Sequence, residues 1–173
     1  MKRFKRPFTL VELLCVIIVL AMLAAIALKA TQIAYRRADE TKTQAIMEII
    51  RNANEQYKTK YGYYYPNGGS DYETVTIDGK DYKFHSIKLD AEFLGEAYET
   101  CRTIASEGGG STDKIRDAWG NAIRYRSPGA YNVGSFDVYS IGRDKCVGDA
   151  EDKNKQSPGL GDDLANFKNP LDK

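Results

Sequence analysis

The chain is poor in the residues that metal and nucleophile chemistry most often uses. Its 173 residues include one histidine, three cysteines and one tryptophan. His85 has no cysteine or second histidine at ligand spacing, which argues against zinc. No Cys–His pairing, nucleophile elbow or phosphate loop occurs, so an enzyme is not expected. Net charge is nearly absent too: 25 Lys and Arg stand against 24 Asp and Glu, giving +1. That balance excludes a basic nucleic-acid coat and an acidic tail, and no nucleic-acid partner is expected. Proline is scarce, and residues 8–61 contain neither proline nor glycine, so nothing in that stretch interrupts a helix. Long hydrophobic runs are missing except for one.

That run, residues 8–28, reads FTLVELLCVIIVLAMLAAIAL and carries a single charge, Glu12. As a helix it covers about 30 Å, the hydrocarbon thickness of a bilayer. Lys2, Arg3, Lys5 and Arg6 precede it, which sets the N-terminus in the cytoplasm and sends the rest outward. A cleaved secretory signal has a shorter apolar stretch of about 7–15 residues and a small-residue cleavage site. Here helical sequence continues past the run. Glu12 is the anomaly, because a carboxylate inside a span costs a few kcal/mol unless a cation meets it. The span holds no cation. An α-amino group freed by a cut before Phe8 would lie one helical turn away, and a neighbouring copy would present its own.

The segment Lys5-Arg6-Pro7-Phe8-Thr9-Leu10-Val11-Glu12-Leu13-Leu14 resembles the processing signal of type IV pilins and type II secretion pseudopilins. The resemblance implies that a prepilin peptidase cuts between Pro7 and Phe8 and that the new Phe8 amine is methylated. It also implies that Glu12 neutralises the N-terminus of an adjacent subunit during filament assembly. Pro7 stands where the family usually has glycine, and Lys29 where many pilins have a kinking proline. Loss of the leader would take the net charge from +1 to −3.

Beyond the span, Ala34, Ala38, Ala45, Ile49, Ala53 and Tyr57 recur at helical spacing among charged residues, which predicts an amphipathic helix with a narrow apolar stripe. Together the two stretches predict one helix of about 80 Å, stopped by Gly62 and Pro66. In the remainder, Thr74-Val75-Thr76-Ile77, Asp78-Gly79 and Tyr82-Lys83-Phe84 predict a hairpin. Asp90 caps a short helix reaching about Ser106, with Phe93, Leu94, Ala97, Cys101 and Ile104 on one side. Residues 122–127 and 135–141 alternate as strands. The expected architecture is α+β and pilin-like, a long N-terminal helix packed on a small antiparallel sheet. The expected divisions are a leader at 1–7, a membrane half-helix at 8–28, an amphipathic half at 29–61 and a globular domain at 62–173. Trp119 is expected as a core or turn anchor, and Tyr61, Tyr63, Tyr64 and Tyr65 as packing at the helix exit.

Residues 142–163 hold six acidic groups and four glycines. Hard cations such as Ca²⁺ take several oxygens from a wrapping chain, although the spacing is not that of an EF-hand. A solvated loop whose acids are balanced by Lys145, Lys153 and Lys155 is the alternative. Asp117-Ala118-Trp119-Gly120-Asn121, Ser127-Pro128-Gly129, the run from Phe136 to Asp144, and Asp162-Asp163-Leu164-Ala165-Asn166-Phe167 resemble the major pseudopilins of type II secretion. That resemblance implies structural Ca²⁺ held by Asp144, Asp162 and Asp163 and by the backbone carbonyl of Ile141. The interval from Asp144 to Asp162 is longer than the family's loop, so Asp149 or Asp152 is a substitute ligand. Cys101 and Cys146 fall in the exported part, where an oxidising compartment permits a disulfide, with two unpaired thiols as the alternative. Cys15 reads as a small apolar residue in the span.

These features make the expected protein a structural subunit, not an enzyme. It would be anchored once in a bacterial inner membrane, with the N-terminus cytoplasmic and the C-terminal domain periplasmic. It would polymerise with copies of itself into a pseudopilus for type II secretion. Its partners would be the prepilin peptidase, minor pseudopilins and the inner-membrane assembly machinery. The rival readings are a type IV pilus subunit serving adhesion, motility or DNA uptake, and a membrane-anchored periplasmic binding protein.

Overall fold

The structure is a computed structural model that describes residues 10–68, 71–77, 79–107, 113–148 and 157–169. It divides into two compact units, Met1–Ala38 and Asp39–Lys173. Helix α1 is Leu10–Tyr61. In the first unit its apolar side chains are exposed, among them Leu13, Ile17, Leu20, Leu23 and Ile26. The helix is long and apolar enough to cross a membrane, and no part of its most apolar window is buried in the protein.

The second unit is an antiparallel sheet with the remainder of α1 on one face. The strands are β1 (Tyr72–Ile77), β2 (Lys80–Ser86), β3 (Arg124–Arg126), β4 (Asp137–Ser140) and β5 (Leu164–Ala165), paired in chain order. The hairpin register sets Val75 opposite Tyr82 and Ile77 opposite Lys80. It realises the expected hairpin, with two more residues on β1 and four more on β2. β3 and β4 lie inside the expected spans, and β5 has no counterpart in the expectation. Two residues make too short a periodic signal to read.

The expected helix after Asp90 is broken in two. Asp90 accepts a hydrogen bond from the Glu92 backbone N–H at 2.9 Å and caps α2 (Ala91–Leu94). Gly95 then takes φ +55°, a left-handed conformation open to glycine. A 3₁₀ turn, Gly95–Ala97, leads into α3 (Tyr98–Glu107). Phe93, Leu94 and Cys101 are buried as expected, with Ile104 packed against them.

The stripe that α1 buries shares Ala53 with the one expected, with Ile49 and Tyr57 packed against the core, and departs from it elsewhere. Thr43, Ile46, Met47, Ile50, Ala53 and Asn54 are buried, whereas Ala34, Ala38 and Ala45 face outward. A spacing drawn through alanines ran about one position off the face that bulky Ile46 and Ile50 define, and two polar residues belong to that face. Asn54 is fully buried. Its Nδ2 donates to the Ile50 carbonyl at 3.0 Å, and its Oδ1 accepts from the Tyr65 N–H at 3.2 Å and the Tyr125 hydroxyl at 2.9 Å. One amide therefore ties α1 to the chain leaving it and to β3. Thr43 Oγ1 accepts from the Ala118 N–H at 3.2 Å.

The core on the helix side joins Ile46, Ile50, Ile87, Phe93, Ile115, Ile123 and Val138. The next residue of β4, Tyr139, points to the opposite face and meets Val75 and Phe84, with Tyr131, Val147 and Phe167 packed over them. Both faces of the sheet are thus covered. The tyrosines at the helix exit pack as expected: Tyr57 lies 5.3 Å centre to centre from Tyr65 and 4.4 Å from Tyr61, and Tyr65 lies 4.2 Å from Phe93. Gly62 ends α1, its N–H donating to the Lys58 carbonyl at 2.7 Å.

A charged lattice crosses the strands. Lys114 Nζ donates to Asp71 Oδ2 at 2.7 Å, the Ser86 hydroxyl donates to the same oxygen at 2.6 Å, and Arg124 lies 3.5 Å from Asp71 and 3.4 Å from Glu73. Lys114, then Ser86, hold the Asp71 carboxyl well below the usual carboxylate range.

Two consequences are measurable by urea unfolding of the detergent-solubilised chain, followed by near-ultraviolet circular dichroism. Asn54→Leu deprives the Tyr65 N–H of its acceptor, while the Tyr125 hydroxyl keeps the Tyr65 carbonyl at 2.8 Å, and should cost about 1–3 kcal/mol. Tyr125→Phe leaves Asn54 bonded to Tyr65 and should cost about 1 kcal/mol. A depressed carboxyl stabilises fully above its unfolded value and loses that contribution as pH falls. Wild type should therefore exceed Asp71→Asn in stability at neutral pH, with the gap narrowing below the ordinary carboxylate range.

Candidate functional site

The acidic residues expected to act together converge where β4 ends and β5 begins. Gly142 turns with φ +67°. A Cβ there would stand 2.5 Å from the Asp162 carbonyl oxygen and 2.8 Å from its carboxyl carbon, so the two segments approach only because residue 142 is glycine. Asp162 uses this approach. Its Oδ2 accepts from the Arg143 N–H at 2.8 Å and the Asp144 N–H at 3.1 Å. Asp144 Oδ1 accepts from the Cys146 N–H at 2.8 Å. Asp163 Oδ2 accepts from the Gly148 N–H at 2.8 Å and the Gly159 N–H at 3.1 Å, which draws both sides of the acidic stretch onto one carboxylate.

Burial pushes the Asp163 carboxyl up to about 8; its two backbone donors oppose the shift, while the charges of Asp162 and Asp144 add to it. Its Oδ1 is buried with no hydrogen-bond partner. Among the described residues no group of three or more His, Cys, Asp and Glu side chains is gathered into a ready metal cluster. The chemistry nevertheless suits a hard cation. The available donors are oxygens, one is unpaired, and the carboxylates around it repel one another. Asp144, Asp162 and Asp163 lie at this place, and Ile141 sits at its entrance, half-buried against the outer apolar cluster. Asp149 and Asp152 lie outside the described residues.

The support beneath the loop was not recognised as such in the sequence. Asp117 is fully buried. Its Oδ1 accepts from the N–H groups of Trp119 and Asn121 at 3.0 and 2.7 Å, and its Oδ2 from Asn121 Nδ2 at 3.0 Å and the Ser140 hydroxyl at 2.6 Å. Asn121 Nδ2 also reaches the Gly142 carbonyl at 2.7 Å. The Asp-Ala-Trp-Gly-Asn turn thus holds the end of β4 and the start of the loop. Burial raises the Asp117 carboxyl and these four donors work against that rise. Trp119 is half-buried in this turn, in the turn role expected of it. A comparable clamp, Asp137, accepts from the N–H groups of Ala130, Tyr131 and Asn132 at 2.6–2.9 Å.

Glu12 is exposed in the first turn of α1, in the first unit, and Pro7 and Phe8 lie outside the described residues. Cys101 is a buried thiol, which burial pushes up to about 11, and Cys146 is an exposed one; the two are not bonded to each other in this structure.

A long helix, apolar then amphipathic, with its second part laid on a small antiparallel sheet, defines a pilin-like subunit. Comparison with known proteins narrows the likeness. The family described as "Type II secretion system (T2SS), protein G" matches residues 95–157. Type II secretion system core protein G of Aeromonas hydrophila is 26% identical over 152 residues, covering 87% of this chain and 92% of that protein. The Vibrio cholerae serotype O1 protein of the same name is 25% identical over 169 residues, covering 96% of each. No solved structure gives a significant match. The chain is thus similar to type II secretion core protein G along nearly its whole length.

The geometry gives one direct test. Gly142→Ala forces a left-handed alanine against Asp162 and should lower stability by about 1–3 kcal/mol. Amide hydrogen exchange at Arg143 and Asp144 should accelerate, because both N–H groups lose Asp162 as acceptor.

Proposed function

We propose that this chain is a structural subunit of a pseudopilus, the periplasmic filament of type II secretion, and that it has no catalytic role. The observation that carries this reading is the similarity to core protein G over 96% of the chain, joined to a helix whose apolar part is uncovered by its own protein. Both matched relatives are named for secretion, which favours a pseudopilus over a pilus for adhesion, motility or DNA uptake, and over a soluble-ligand binder.

In this role a prepilin peptidase removes residues 1–7 and Phe8 becomes the methylated terminus. The apolar half of α1 holds the subunit in the inner membrane, N-terminus cytoplasmic, until minor pseudopilins and the assembly machinery receive it. Glu12 then meets the freed amine of a neighbouring copy. An ion pair taken into an apolar surround is costly to break from one side, about 3–5 kcal/mol, so this contact fixes which depth of one helix lies beside the next. The C-terminal domains cover the outside of the filament.

We assign a structural Ca²⁺ ion to the loop, held by Asp144, Asp162, Asp163 and the Ile141 carbonyl. The ion supplies a compact double positive charge among carboxylates that otherwise repel. The unpaired Asp163 Oδ1 is the donor that has most to gain. Asp162 and Asp163 keep the two sides of the loop joined through the backbone N–H groups that they already hold.

Glu12→Ala should leave the chain inserted and folded while electron microscopy of cells overproducing it shows no filaments. Filaments at the wild-type level would overturn the assembly role. Mass spectrometry of the native protein should show a methylated Phe8 start, and an intact Met1 would refute the processing step. Calcium at a hundred times its dissociation constant should stabilise the chain by about 2.7 kcal/mol, read as a higher melting temperature than in chelator. Asp163→Asn should abolish that increment. Identical melting of wild type with calcium and with chelator would remove the ion from the loop.

A further inference from the structure

Two cations of the first unit remain unused by the filament reading. Lys29 follows the apolar run directly, and Arg36 follows Lys29 by seven residues. On an α-helix that spacing returns side chains to within about 20° of one face. Both are exposed. Neither side chain makes a hydrogen bond or ion pair with any described residue, although Asp39 and Glu40 follow Arg36 by three and four positions. Tyr35, beside them, is 70% exposed. An exposed pair of cations on one helical face, reached just as an apolar span ends, is placed to meet an anionic counterpart at that depth.

Polar headgroups add about 5–7 Å to each side of the hydrocarbon layer. Lys29 stands at that boundary, and Arg36 lies about 10 Å further along the axis, close enough for its long side chain to lean back toward the headgroups. An exposed tyrosine at this level suits the interfacial belt where aromatic rings settle. We propose that Lys29 and Arg36 form a binding face for the phosphates of anionic phospholipids at the far end of the membrane span, and that this contact holds the subunit in the bilayer before assembly. The inference rests on the membrane anchoring proposed above and goes beyond it by naming the lipid class and the residues that select it. Once the leader's four cations are removed, these residues with neighbouring Arg37 are the basic groups that remain near the span.

The test uses the full chain reconstituted in mixed phosphatidylcholine and phosphatidylglycerol bilayers, with a spin-labelled lipid of each kind reporting its preference for the protein boundary. Wild type should favour phosphatidylglycerol, and added salt should weaken that preference. Each basic residue near an anionic surface contributes enough that the pair sets an upper limit of about thirtyfold. Lys29→Gln with Arg36→Gln should bring the preference down toward parity, and Lys29→Arg with Arg36→Lys should retain it. No preference in wild type, or a preference untouched by the double glutamine variant, overturns the proposal. So does a double variant that keeps its lipid preference but forms no filaments, since the cations would then serve carboxylates on another copy. Resistance to carbonate extraction is measured on every variant. A wild-type chain that washes off the membrane overturns the anchoring reading and this one together, whereas an inserted chain without lipid selection overturns this one alone.

Discussion

The folded unit depends on one constraint: beyond the β1–β2 hairpin its strands are too short to make the inner core without the helix. β3 has three residues, β4 four and β5 two, so the sheet has little ladder and little area of its own. Ile46, Met47, Ile50 and Ala53 supply the missing layer. Asn54 fixes their position, because its amide must satisfy Ile50, Tyr65 and Tyr125 simultaneously. A purely apolar stripe would tolerate sliding or rotation of the helix against the sheet. A buried amide with three partners tolerates much less, since each displacement strands a polar group away from water. The outer face then needs its own cover, and the segments around Tyr131, Val147 and Phe167 provide it over Tyr139 and Phe84.

Much of this was legible in the sequence. The absence of Pro and Gly through residue 61 marked α1, the Asp-Gly pair marked the hairpin, and Asp90 marked a helix start. These signals are local, so short-range sterics and hydrogen bonding decide them. The buried stripe was placed only in part, at Ile49, Ala53 and Tyr57, because its members include Thr43 and Asn54, whose burial is permitted only by partners far along the chain. β5 escaped notice because a two-residue strand exists through its neighbour β4 alone. The break at Gly95 went unread inside a good helical pattern, since a lone glycine lowers helix stability without dictating where the chain turns.

The candidate loop shows the same division. Its acidic, glycine-rich composition was visible, and Asp162 and Asp163 each hold backbone from another part of the loop, although no group of three metal-holding side chains is gathered among the described residues. What composition could not reveal is how many of their oxygens are already engaged. Asp144, Asp162 and Asp163 each accept backbone N–H groups, as do Asp117 and Asp137 further up the chain. In a domain with few ladder hydrogen bonds, short carboxylates take over the holding of the backbone, and turns do work that strands do elsewhere. A cation in such a loop acts on an arrangement already shaped by its carboxylates. On the calcium reading its contribution is to offset the burial, and after it the neighbouring charges, that raise Asp163.

The first unit poses the opposite problem, since its apolar side chains have nothing of their own to rest on. On the pseudopilus reading they exchange one apolar surround for another, lipid for the helices of neighbouring copies. Lipid tails are as apolar as leucine, so that exchange gains almost nothing from the hydrophobic effect. Close packing contributes, and Ala21, Ala24, Ala25 and Ala27 permit backbones to approach. The larger differences must come from the few charged groups along the helix. On the proposed assembly Glu12 favours the filament, where a neighbour's terminus can meet it. Lys29 and Arg36 favour the membrane, where phosphates can meet them. On these two readings, a helix otherwise indifferent to its surroundings is moved between them by opposite charges near its two ends.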